Sequence, residues 1–415
     1  MGSPGFSRSA NNLPISNLPF RNLPFGKILD SVYLQDMNTP FLFGKTVSEE
    51  AFTNRKTDIK RLSNNLRNNI NSILISPRRW GKSSLVRKVT AALRNRSTGI
   101  IMLDLLGVKS EEEFYKILAR ETLKATSGKL DEWIQTAKEF LKHFTPKISI
   151  GTDPVQDFDI SLEWNDVEKN YTEILNLPEK IAKKKKLKLI ICIDEFQNCE
   201  SFKNPKLFQK RLRTEWQHHQ HVTYCLYGSR QHMMAELFEK QSNPFYKFGD
   251  VIYLPKITRS DWVVFIRQQF HASKKSISEE LAEQIAALVQ DHSYYVQQLS
   301  YLVWVSTTKT VSDETVTKAL ETLLEQNAML YTRDTENLTN AQFNFLKAVA
   351  EGNHSGLSSK EVLNKYQLGT SANVLKLKKA LIQKELIDDS NGIHFLDPVY
   401  ELWFRKYMLS QLLQM

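Results

Sequence analysis

At 415 residues the chain exceeds the roughly 250–300 residues at which one hydrophobic core usually stops growing, which disfavours a one-domain chain and predicts about two or three domains. With 41% hydrophobic and 25% charged residues and no stretch approaching ~20 consecutive apolar residues, the composition is globular and no membrane partner is expected. The formal charge of +10 fits either polyanionic partners or excess lysine on solvated helices. Cys192, Cys199 and Cys225 show no metal-ligand spacing and no secretory leader is evident, which predicts a reducing, cytoplasmic setting.

Residues 2–9 are small and polar and carry no fold information. Asn-Leu-Pro then recurs at 12–14, 17–19 and 22–24, and these prolines forbid a continuous helix and favour an extended or disordered arm over residues 1–39. Its Leu and Phe side chains suit either a docking segment or a flexible tail. Globular patterning begins near Phe41. Periodicity predicts a helix over 58–66, a buried strand over 72–75, a strand over 99–105, and helices over 111–125 and 129–144. Alternation at 147–150 and 158–162 predicts a short hairpin outside the main sheet, and a long helix is expected over 167–185. The run 187–193, apolar except for Lys188, reads as a central parallel strand covered on both faces, and 222–226 as a further strand. Strands alternating with helices predict an open α/β sheet, which gathers ligands at the carboxyl ends of its strands.

Two such ends carry chemistry. The strand at 72–75 leads into Ser76-Pro77-Arg78-Arg79-Trp80-Gly81-Lys82-Ser83-Ser84 and then a helix, the context of a Walker A loop. Its backbone N–H groups and helix N-terminus would cradle phosphates, Lys82 would reach the β and γ phosphates, and the Ser83 hydroxyl would ligate magnesium. Ser76 stands where the first glycine of this motif usually sits, a position often needing unusual backbone angles. The strand at 189–193 ends in Asp194-Glu195-Phe196-Gln197, a Walker B pattern: Asp194 to hold magnesium through its waters, Glu195 to orient and deprotonate the attacking water. Ser229, just past the strand at 222–226, either reaches the γ phosphate from a neighbouring strand or belongs to an ordinary turn.

The ordered set resembles the archaeal-type ATPase group of the STAND branch of AAA+ proteins, in particular the version common in Bacteroidetes. The resemblance runs from about Pro40 to Tyr407 and rests on Phe52-Thr53-Asn54-Arg55, the Walker segments, Arg213-Thr214-Glu215-Trp216-Gln217, Gly228-Ser229, Pro244-Phe245-Tyr246 and Asp397-Pro398-Val399-Tyr400-Glu401-Leu402-Trp403. It implies an ATPase core over 40–257, a helical lid over 258–330 and a winged helix over 331–415, with Asn54 and Arg55 near the adenine. ATP rather than GTP follows from the resemblance alone, as does a nucleotide-controlled switch. Arg213 resembles an arginine that acts on a neighbouring subunit's nucleotide, and equally suits a surface or core-pairing role. Where related lids often read Gly-x-Pro this chain has Asp291-His292-Ser293-Tyr294-Tyr295, and where several relatives carry arginine it has Lys247.

Helices predicted at 340–351, 358–366 and 372–384, the last capped by Thr370 or Ser371, followed by a two-stranded wing over 387–396, give helix-turn-helix spacing. Lys376, Lys378, Lys379 and Lys384 suit phosphates of duplex DNA, whereas a winged helix that clamps the core suits a protein partner or self-association. The run 183–186 reads as a solvated helix end, and His218, His219, His221 and His232 lack companion ligands, so magnesium is the one metal expected.

Overall fold

The computed structural model describes residues 39–45, 53–127, 130–140, 147–150, 158–161, 164–389 and 392–409. The Asn-Leu-Pro arm, Phe52, and Ser390 and Asn391 of the wing lie outside them. Contacts divide the chain into residues 1–39 and a compact unit over 40–415.

In that unit the order begins α1 (Lys56–Arg67), β1 (Ser72–Ile75), α2 (Lys82–Leu93), β2 (Thr98–Asp104), α3 (Glu111–Thr126) and α4 (Leu130–Phe140). It continues β3 (Lys147–Ile150), β4 (Phe158–Ser161), α5 (Trp164–Lys185), β5 (Lys188–Asp194), α6 (Pro205–Trp216), β6 (Val222–Gly228), α7 (Gln231–Glu239) and β7 (Asp250–Tyr253). Strands β1, β2, β5, β6 and β7 form one parallel sheet in the order β2-β5-β6-β1-β7, and β3 and β4 pair as a separate antiparallel hairpin. Alternate side chains take opposite faces, as strand pleating requires. Leu189, Ile191 and Ile193 pack with α3, α5 and α6, while Ile190 and Cys192 pack with Leu62 of α1 and Leu85 and Val89 of α2. Both faces of the sheet are therefore covered by helices, which is why β5 is apolar at nearly every position.

The lid is α8 (Arg259–Ala272), α9 (Glu279–Leu288), α10 (Ser293–Ser306) and α11 (Asp313–Glu336). The winged helix follows as α12 (Asn340–Ala350), α13 (Lys360–Lys365), α14 (Ser371–Gln383), β8 (Ile387–Asp388), β9 (His394–Phe395) and α15 (Pro398–Trp403). Local signals set these boundaries: Thr258, Ser278, Ser312, Ser359 and Thr370 each accept an N–H at a helix start, and Thr339 closes a capping box with Gln342. Lid and winged helix share one continuous apolar cluster, from Trp262 and Phe270 through Leu299 and Tyr331 to Phe345, Leu381 and Phe404. No helix of the described residues is long and apolar enough to cross a membrane.

Candidate functional site

β1 lies between β6 and β7, so the loop after Ile75 leaves the sheet at the carboxyl ends of its strands. Left-handed backbone falls on Arg79 (φ 65°) and Gly81 (φ 93°), not on Ser76. A Cβ on Gly81 would meet nothing within 4 Å, so the angle and not crowding calls for glycine there. Ser76 is fully buried and donates its hydroxyl to the Pro77 carbonyl at 3.2 Å. Serine replaces the usual glycine without backbone strain.

Gly81 caps α2, and Lys82, Ser83 and Ser84 form its first turn. Lys82 is 6% exposed and makes no hydrogen bond or ion pair among the described residues. Burial holds its pKa below the usual lysine value, against the opposing pull of the Glu195 and Asp194 charges. A buried ammonium without an anionic partner is costly, and an incoming anion relieves that cost. Ser83 Oγ donates to Asp194 Oδ2 at 2.7 Å, so side chains 111 residues apart meet at the base of the loop. Burial raises the Asp194 pKa, with the Ser83 hydrogen bond and the Lys82 charge opposing.

Glu195 has left-handed backbone (φ 50°), and its N–H donates to Asp194 Oδ1 at 2.8 Å. Because β6 lies between β1 and β5, Ser229 stands beside this carboxylate and donates its hydroxyl to Glu195 Oε2 at 2.8 Å. The Gln197 amide donates to the same oxygen.

A pocket of about 670 Å3 opens beside the loop, between Phe43, Arg55, Lys82, Trp262 and Tyr294. Arg55, itself left-handed (φ 98°), donates to the carbonyls of Pro255 (2.9 Å) and Trp80 (2.8 Å), tying the loop to the strap that enters the lid. Burial lowers the Arg55 pKa, with Asp58 opposing. Asn54 turns its amide to Asp261 of α8. The Arg79 guanidinium lies 4.6 Å from the Tyr294 ring centre. On the other side of the loop a pocket of about 570 Å3 lies between Pro77, Arg78, Glu195 and the winged helix residues Lys384 and Asp397. Across this junction Glu385 accepts from Arg230 at 3.0 Å and pairs with Arg78 at 3.5 Å.

Other candidates stand apart. The Arg213 guanidinium lies 5.1 Å from the Phe248 ring centre and Lys247 lies over Tyr246; neither lines either pocket. His219 bonds Tyr224 and Asn176, and His221 bonds Glu179, where β6 starts. At the end of α5, Lys184 pairs with Glu139 and Lys185 donates to Ser127. On α14 and just past it, Lys378 pairs with Asp389 at 2.9 Å and Lys384 donates to the Asn337 carbonyl, while Lys376 and Lys379 are exposed. Sequence reasoning overlooked Gln197, Arg230 and Glu385 as site residues. Gln197 lies in the Walker B segment and Arg230 and Glu385 adjoin Ser229 and Lys384, but the pairing of Glu385 with Arg230, 155 residues away, leaves no local signal.

Residues 52–299 match the family model of an ATPase domain predominantly from Archaea, and residues 329–406 match a probable winged helix domain. Among solved structures the chain is similar to the Walker-type ATPase paby2304 of Pyrococcus abyssi, at 16% identity and TM-score 0.62 over 87% of this chain and 98% of that one. It is also similar to the Aeropyrum pernix ORC2 protein in its ADPNP-ADP complexes, at 14% identity and TM-score 0.51 over 90% of this chain and 99% of that one. At such identities the likeness is one of fold. No match is found among curated proteins.

Proposed function

Because the chain belongs to the family of ATPase domains found predominantly in Archaea and carries a winged helix domain, we propose that it binds magnesium-ATP, hydrolyses it slowly and acts as a nucleotide-controlled switch of the STAND type. The observation that carries this reading is the meeting of the two motifs: Ser83 bonded to Asp194 at 2.7 Å, with Lys82 buried beside them and unpaired among the described residues. Residues 76–84 take the phosphates, Arg55 and Asn54 stand at the base end, and ATP over GTP rests on the family. The Ser83 hydroxyl and the Asp194 carboxylate are hard oxygen donors that suit magnesium, which when bound would neutralise phosphate charge. In the reaction the water oxygen bonds the γ phosphorus as the bond from that phosphorus to the β–γ bridging oxygen breaks, giving ADP and phosphate. The water's proton passes to Glu195.

The switch is supported by Glu385. A γ phosphate entering beside Arg78 competes with this carboxylate for the guanidinium, so nucleotide state and docking of the winged helix are thermodynamically linked. In this cycle residues 40–257 serve as core, 258–330 as lid and 331–415 as the moving winged helix.

Phosphate release and nucleotide binding test the proposal together. Wild type is expected to turn over; Lys82→Ala to bind about tenfold or more weaker; Glu195→Gln to bind normally but turn over about a hundredfold or more slower. Binding without any turnover in wild type would refute the hydrolytic part. A second reading, duplex DNA binding, is supported by the exposed Lys376 and Lys379. Its test is a salt-dependent duplex affinity that charge reversal of both lysines abolishes.

A further inference from the structure

Gln197 is wholly buried, yet its side-chain oxygen has no hydrogen-bond partner among the described residues. Buried amides are ordinarily satisfied at both ends, and a methionine of similar length would fill the same space without that cost. What the amide supplies instead is its N–H, given to Glu195 Oε2, the oxygen that Ser229 also holds. Glu195 Oε1 accepts no hydrogen bond among the described residues, and Glu195 lines the pocket shared with Lys82 and Ser83. The backbone is cut to fit this arrangement: a Cβ on Gly228 would stand 1.9 Å from Gln197 Oε1 and 2.8 Å from Met234 Sδ.

Building on the hydrolytic reading above, we infer that Gln197 is the positioning residue of Glu195, pinning one carboxylate oxygen with Ser229 so that the other faces the attacking water. Both donors are neutral. A cation in either place would orient the carboxylate equally well but would weaken it as a proton acceptor. Glu195 takes the proton; Gln197 acts only through it.

The test compares wild type, Gln197→Met and Gly228→Ala in single-turnover hydrolysis with enzyme in excess, in steady-state kinetics, and in magnesium-ADP affinity and thermal midpoint. Gln197→Met is expected to keep ADP affinity and KM within about twofold and its thermal midpoint at or above wild type, while kcat falls on the order of 10–100-fold. Gly228→Ala, which displaces the amide from the backbone side, is expected to lower kcat in the same way with KM unchanged. Full kcat in a folded Gln197→Met variant would overturn the inference alone, as would a loss that merely tracks weakened binding or a lowered thermal midpoint. Absence of turnover in wild type would overturn the hydrolytic reading and this inference with it.

Discussion

Asp291 holds left-handed backbone (φ 57°) next to Gln290 (φ 50°), in the turn before α10. Arg259 fixes it with two bonds to the Asp291 carboxylate, at 2.5 and 2.9 Å, so an ion pair replaces conformational freedom. The turn delivers His292 into a buried position between the core and the lid. Burial, with the Lys256 and Arg79 charges, lowers its pKa from 6.5 to about 3. His292 is therefore neutral in the fold and protonated in the unfolded chain at mild acid. Between those two values the unfolded state binds more protons, so stability falls as pH drops below 6.5. From pH 7 to 5 this single group contributes a loss of about 2 kcal/mol. His219, lowered to about 4 by burial, adds to the same slope. Denaturant midpoints at the two pH values are expected to differ less in His292→Asn than in wild type; equal differences would refute the assignment.

At the scale of elements, strong patterns and short ones behave differently. The buried strands at β1 and β5 and the helix at α3 follow from uninterrupted apolar runs and a clear period, and the observed ends differ from the expected ones by no more than a residue. β7 escaped the pattern because it is a four-residue edge strand with only Ile252 buried. Its position is set by contacts from elsewhere: Asp250 receives Arg61 and Asn65, and Gly249 passes so close to Asn71 that a Cβ would lie 2.3 Å from its carbonyl oxygen. β6 runs two residues beyond its apolar segment, to Gly228, because β1 pairs with it as far as that residue. The start of α14 was ambiguous in sequence. Thr370 carries the extended backbone and accepts the Asn373 N–H at 3.3 Å, while Ser371 is the first helical residue. Thr370→Ala is accordingly expected to cost about 1 kcal/mol in chemical denaturation, and Ser371→Ala a few tenths or less.

Across the whole molecule, lid and winged helix share one apolar core, whereas their junction with the loop is charged. Tyr295 of α10 and Tyr331 of α11, the helix that runs from the lid into the winged helix, both donate to the half-buried Asp397, which strengthens that unit. Glu385 is partly exposed, and ion pairs of that kind contribute at most about 1 kcal/mol each, so the dock is easily biased by a ligand of comparable differential affinity. Glu385→Gln is expected to speed ADP release about two- to tenfold and to enlarge the radius of gyration of the ADP-bound protein in small-angle scattering. Salt should mimic the substitution in wild type and have little further effect on the variant. Release rates indifferent to both would refute a latch at this residue.

The sequence by itself determined the class of fold, the two nucleotide motifs and the helix-turn-helix spacing, because hydrophobic period, helix caps and a loop flanked by strand and helix are local properties of the chain. It also placed Ser229 within reach of the site while leaving a plain turn as the alternative. Tertiary structure decided what depends on strand order and on contacts between distant segments. Insertion of β6 between β1 and β5 brings Ser229 against Glu195, Lys82 is buried without a partner among the described residues, and folding of the winged helix onto the loop sets Glu385 between Arg78 and Arg230. Such pairings join residues more than a hundred positions apart in several cases, and no periodicity along the chain encodes them.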